Sequence, residues 1–220
     1  LSQMKDKWQG TLMFIAQPAE ESLGGARAML DDDLFARFGK PDFGFAAHVS
    51  NLPAGMVNIR PGAAGAASDS YEITFHGRGG HGSMTDAQTV ISREKDAAGF
   101  GVLTVGAFQA GTVANIIPDS ALLKVNLRSN SADVRAILQD GVVRTAKASA
   151  MMARAPEPTI NYVGGTAALI NDASMAEQAQ KLLQPLYGDA IHFVPRDAPP
   201  VSASEDYSEF VSAGVPSLFF

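Results

Sequence analysis

The sequence has no cysteine, a single tryptophan, and fewer basic than acidic residues, with 17 Lys and Arg against 23 Asp and Glu. Without cysteine the chain forms no disulfide and offers no thiolate ligand or thiol nucleophile. That absence suits both the cytosol and the periplasm, and the cytoplasm is the default expectation. The formal charge of −6 argues against a nucleic-acid partner, which would call for a basic surplus. Long apolar runs are lacking too. Leu12–Ala16 and Phe43–Ala47 fall far short of a bilayer's width, and no charged-then-apolar leader stands before a small-residue cleavage site, so no membrane partner is expected. What is present is core-forming material. Hydrophobic residues make up 46% of 220 positions and charged residues 18%, which excludes wholesale disorder.

The hydrophobic period changes twice along the chain. Leu1–Gln9 reads as the tail of an amphipathic helix closed by Gly10, so further sequence upstream is expected. Thr11–Gln17 and Phe43–Val49 read as strands buried on both faces. Ser22–Phe38 between them has helical spacing, and together they suggest a βαβ unit. The small-residue stretch 61–66 has no periodicity and reads as a linker at a domain boundary. From Ser70 the repeat becomes two residues, through Tyr71, Ile73 and Phe75, then 102–109, then Ala121, Leu123, Val125 and Leu127. A helix capped by Asn130 or Ser131 and a strand at 159–163 complete this part. From Gly164 the first character returns, with a helix capped by Asn171 or Asp172, a strand at 191–194, a helix at 204–213 and a last strand from Ser217. The expected class is therefore α/β: a mostly parallel sheet flanked by helices, formed by 1–66 and 164–220. It is interrupted at 67–163 by an inserted α+β domain with an antiparallel sheet.

Four groups of residues could carry chemistry. Glu20 and Glu21 follow the first strand, where α/β sheets bind ligands. With a metal, one carboxylate can ligate while its neighbour accepts a proton from water. An acidic helix N-terminus explains the pair as well. His48 ends the second strand in register with Glu21, and imidazole with carboxylate suits Zn²⁺, Mn²⁺ or Co²⁺. A hydrogen-bonded core histidine is the plainer reading. His81 lies in a glycine-rich loop, which lets the backbone bring it close to another surface, or which is simply a hairpin tip. Asn115 and Arg128 pair an amide with a guanidinium, a common grip for a substrate carboxylate, though each also suits a structural turn or strand end.

Taken as a set, QPAEE at 17–21, HV at 48–49, GRGGHGSM at 77–84, NIIPD at 115–119 and SEDYSEF at 204–210 occur in a familiar order. From Trp8 to Phe220 the chain resembles the aminoacylase and carboxypeptidase-G type zinc metallopeptidases, in the hippurate hydrolase and N-acyl-amino-acid amidohydrolase branch. The resemblance implies a catalytic domain with two divalent metals per subunit (Zn, Mn, Co or Ni) and an inserted lid through which a homodimer forms. It implies Glu20 as general base, Glu21 and His48 as metal ligands, and His81 polarising the scissile carbonyl in the other subunit. Asn115 and Arg128 would hold the carboxylate of a small N-acyl amino acid. Glu205 and Asp206 fall in a motif near the site without an assigned role.

Three departures accompany the resemblance. The family's Cys and His ligands would lie before Leu1 and its last His ligand after Phe220, while a helix is expected where Thr85 meets Asp86. All three read as gaps in the chain. The expected reaction is amide hydrolysis by activated water. Its rivals are a dipeptidase or carboxypeptidase on the same scaffold, and a dimeric binding protein that has lost its metals.

Overall fold

A computed structural model describes residues 2–49, 52–77, 90–112, 118–199 and 201–220. The N-terminal stretch forms a 3-10 turn at Ser2–Lys7 and then runs without regular secondary structure to a second at Glu20–Ser22. Next come α1 (Gly25–Asp31), α2 (Leu34–Phe38), β1 (Gly44–Ala46), β2 (Val57–Ile59), β3 (Gly62–Gly65) and β4 (Ala67–His76). A π-turn at Val90–Glu94 precedes β5 (Gly101–Ala110), β6 (Ser120–Ser129), α3 (Ala132–Met152) and β7 (Thr159–Thr166). The chain closes with β8 (Leu169–Asn171), α4 (Ala173–Tyr187), β9 (Ile191–Phe193), α5 (Ser208–Ser212) and β10 (Ser217–Phe219). This is a mixed α/β fold.

The largest sheet is antiparallel, in the order β5-β6-β4-β7. Its two-residue repeat sends Tyr71, Ile73, Leu123, Val125 and Leu127 to one face, where α3 covers them with Val134, Leu138 and Val142. Burial of each such side chain contributes roughly 1.5–3 kcal/mol. Ser131 caps α3 by accepting from the Val134 N–H. A buried ion pair joins three elements of this layer. Asp69 on β4 accepts two hydrogen bonds from Arg135 on α3, at 2.8 and 2.7 Å, and one from the Tyr162 hydroxyl on β7, at 2.9 Å. Burial, with Asp69 beside it, pushes the Tyr162 phenol up to about 12, so it remains a donor.

The remaining strands pair in twos. β1 lies parallel to β10, β2 parallel to β9, and β3 antiparallel to β8. Asn171 joins three of these pairs: its amide donates to the carbonyls of Arg60 and Phe219 and accepts from the Phe219 N–H. Asp172, not Asn171, caps α4.

Several sequence expectations change. Thr11–Gln17 has no regular secondary structure, and Phe14 is 88% exposed. An apolar run becomes a strand only with a ladder partner, and it has none among the described residues. The first parallel pair is accordingly β1 with β10, from opposite ends of the chain. The helix expected over Ser22–Phe38 breaks into two at Asp33, whose backbone is left-handed with φ 59°. The 61–66 stretch is not a coil linker, because 62–65 is β3. Its small residues permit a close approach: a Cβ on Gly65 would stand 3.2 Å from that of Leu169 on β8. The helix expected over 204–213 shrinks to α5, freeing Glu205 and Asp206 for side-chain contacts. Among the described residues no helix is long and apolar enough to cross a membrane.

Replacing Asp69 by Ala leaves Arg135 with its charge uncompensated in a half-buried position. Urea denaturation is expected to show a loss of about 3 kcal/mol. A loss below about 1 kcal/mol contradicts a central role for this pair.

Candidate metal centre

Three chain segments meet at one end of the β1–β10 pair. The first is Gln17–Ser22. Ala19 adopts a left-handed backbone, φ 52°, which turns the preceding segment into the 3-10 turn carrying Glu20 and Glu21. Such a conformation is uncommon for a residue with a Cβ and persists only where surrounding contacts hold it. Here those contacts come from α1 and from Asp206. Gly25 opens α1 against the Pro18 carbonyl, so close that any Cβ would overlap it. Asp206, fully buried, accepts from the Gln17 side-chain amide and, at 3.0 Å, from the Ala26 N–H.

The second segment brings in His48. Beyond β1 and β10 the parallel pairing continues through Phe220, whose N–H donates to the Ala46 carbonyl at 3.1 Å and whose carbonyl accepts from the His48 N–H at 2.9 Å. The imidazole Nδ1 lies 2.7 Å from the Val49 carbonyl. A carbonyl only accepts, so Nδ1 carries the proton and Nε2 of the neutral ring keeps its lone pair. The third segment, just before α5, carries Glu205. Its Oε1 accepts from the Tyr207 N–H at 3.1 Å, and the residue is 8% exposed.

Glu20, His48 and Glu205 each offer one ligand atom, and these atoms all lie within 4.8 Å of one another. Two carboxylate oxygens and an imidazole nitrogen form a donor set that suits Zn²⁺ and other first-row divalent ions. The electrostatics agree. Burial pushes Glu205 up from 4.5 to about 7, and the charges of Glu20 and Asp206 add to it. The Val49 carbonyl raises the His48 pKa above 6.5, with further help from Glu205, Glu20 and Glu21.

Of the residues singled out from sequence, Glu20 and His48 therefore come together. Glu21 is exposed on the same turn and lies outside the triad, though its charge is felt at His48. The Arg128 guanidinium, at the end of β6, donates to the Ser202 carbonyl at 2.6 Å and the Ser204 hydroxyl at 3.1 Å, next in the chain to Glu205. His81 and Asn115 lie outside the described residues. Glu205 is the residue to which sequence reasoning gave no role. Its available signal was a second acidic doublet, Glu205-Asp206, at the start of a helical segment as Glu20-Glu21 is.

Both raised pKa values bind protons more tightly in the folded than in the unfolded state. Their stabilisation is therefore complete at low pH and lost as pH rises through the folded values. In chelator-treated protein, unfolding free energy is expected to fall between pH 4.5 and about 7, from Glu205, with His48 extending the fall above 6.5. Glu205→Gln should flatten the lower part of that slope in urea titrations. Equal slopes in variant and wild type contradict the electrostatic picture.

Comparison with known proteins agrees with the mixed α/β fold and with the family resemblance. All of residues 1–220 match Peptidase family M20/M25/M40. A hippurate hydrolase from Campylobacter jejuni is 34% identical over 222 residues, covering 92% of this chain and 56% of the relative. An N-acetyldiaminopimelate deacetylase from Brevibacillus brevis is 27% identical, covering 95% and 58%. The chain thus spans just over half the length of these curated relatives. Among solved structures, a putative aminohydrolase from methicillin-resistant Staphylococcus aureus superposes with a TM-score of 0.83 at 28% identity, covering 99% of this chain and 58% of that one. A Bacillus subtilis protein described as a dinuclear metal binding peptidase from the M20 family has a TM-score of 0.70 at 24% identity, covering 92% and 53%. The chain belongs to Peptidase family M20/M25/M40.

Proposed function

We propose that this protein is a metal-dependent amidohydrolase that cleaves the amide bond of N-acyl amino acids. The observation that carries the reading is the convergence of Glu20, His48 and Glu205 within 4.8 Å at the end of a parallel strand pair. The relatives support the substrate class: hippurate and N-acetyldiaminopimelate are both N-acylated amino acids, each with an amide to break and a free carboxylate to hold. A dipeptide shares those features, so a dipeptidase on the same scaffold is the alternative within this reading.

His48 and Glu21 are the proposed ligands, two divalent ions per subunit being the family expectation, and the M20 neighbour described as dinuclear supports metal use. When bound, a divalent ion here supplies Lewis acidity, making water a better nucleophile and the acyl carbonyl a better electrophile. Glu20 takes the proton from the attacking water and hands it to the departing amine nitrogen as the C–N bond breaks. Its half-buried place on a turn suits a group that must reach both positions. Arg128, with Asn115, grips the substrate carboxylate. His81 of the partner subunit stabilises the developing oxyanion, which requires a homodimer. In this reading residues 67–163 form the lid and dimerisation domain, and 1–66 with 164–220 form the catalytic one.

Glu20→Gln removes the base and keeps an oxygen of similar size. Hippurate hydrolysis is expected to fall by a factor of about 10² or more, while divalent-ion binding persists. A variant that hydrolyses hippurate at the wild-type rate contradicts the role given to Glu20.

A further inference from the structure

Four carboxylates are buried among the described residues: Asp69, Glu205, Asp206 and Glu209. Three are compensated. Asp69 is forked by Arg135, Glu209 pairs with Arg27, and Asp206 accepts from an amide and a backbone N–H. Glu205 differs. Among the described residues no Lys or Arg pairs with it; the Tyr207 N–H reaches Oε1, and a side-chain hydrogen bond links its carboxyl group to that of Glu20. Its carboxyl group faces Glu20, another acid, and His48. A buried carboxylate set against a second carboxylate is costly unless something positive stands between them.

From this geometry we infer that Glu205 is itself a cation ligand, giving one carboxylate oxygen to the divalent ion that His48 Nε2 binds, and so leaving Glu20 free as the base. The inference rests on the reading of the site as a metal centre and adds a ligand to it. The two glutamates are held differently, in keeping with different tasks. Glu205 is 8% exposed and oriented by the Tyr207 N–H, as a ligand needs to be. Glu20 is more open and sits on a 3-10 turn between two left-handed residues, Ala19 and Leu23. The His48 ring is fixed in the complementary sense, because its bond to Val49 turns Nδ1 away and leaves Nε2 as the donor.

The test is calorimetric titration of chelator-stripped protein with Zn²⁺, and with Co²⁺ for its visible spectrum, with circular dichroism reporting the fold. Glu205→Gln is expected to weaken binding at this site tenfold or more and to alter the Co²⁺ bands, whereas Glu177→Gln, on the exposed face of α4, leaves both unchanged. If Glu205→Gln fails to fold, Glu205→Asp serves instead. It keeps the charge but withdraws the oxygen by one methylene, and the same weakening and spectral change are expected. A folded Glu205 variant that binds within twofold of wild type with unchanged bands overturns the inference. If His48→Ala then abolishes binding, the metal-centre reading survives that result. Wild-type protein that takes up no cation overturns both.

Discussion

The candidate site depends on one buried carboxylate that stands outside the cluster of Glu20, His48 and Glu205. Asp206 accepts from Gln17, just before the Glu20–Ser22 turn, and from Ala26 in the first turn of α1. It thereby fixes the Glu20–Ser22 turn against the chain that presents Glu205. A fully buried acceptor satisfied on both oxygens holds its partners more firmly than surface contacts can. The close seating of the Pro18 carbonyl on Gly25 acts in the same direction. The left-handed Ala19 between these anchors is the local cost of aiming Glu20 at His48.

A second set of contacts ties the large antiparallel sheet to the same place. Arg128, near the end of β6, donates to the Asn126 side-chain oxygen and to the backbone and hydroxyl of the segment leading into Glu205. Asn126 in turn donates to Ser68 and Ser70 on β4. The sheet layer is itself braced by Asp69, Arg135 and Tyr162. The 202–206 segment is thus tied to this layer twice, by the Arg128 guanidinium and by the Ala66 N–H, just before β4, which donates to the Ala203 carbonyl at 2.7 Å.

How much of this was legible in the sequence followed from how local each signal is. The two-residue repeat at 70–75 and 121–128 and the capped helix over 132–152 were readable, because one-sided burial imprints a period on adjacent residues. Thr11–Gln17 has the composition of a buried strand, yet strand formation depends on a partner elsewhere in the chain, which local composition cannot reveal. The 61–66 segment misled in the opposite sense. Small residues that look like a linker are there because β3 and β8 approach closely. At the site, Glu20 and His48 were legible as polar residues ending apolar runs. Glu205 was not, because its role comes from burial beside residues some 160 and 185 positions away, and an acidic doublet before a helix reads equally well as a helix cap.

The central claim is that the strand-end carboxylates and the imidazole share a divalent cation. Crystals of the purified protein grown with zinc and measured at the zinc edge test it most directly. An anomalous peak is expected about 2.0–2.2 Å from His48 Nε2 and from a carboxylate oxygen of Glu21 or Glu205. Zinc bound only at other places, with His48, Glu21 and Glu205 all uncoordinated, would contradict it.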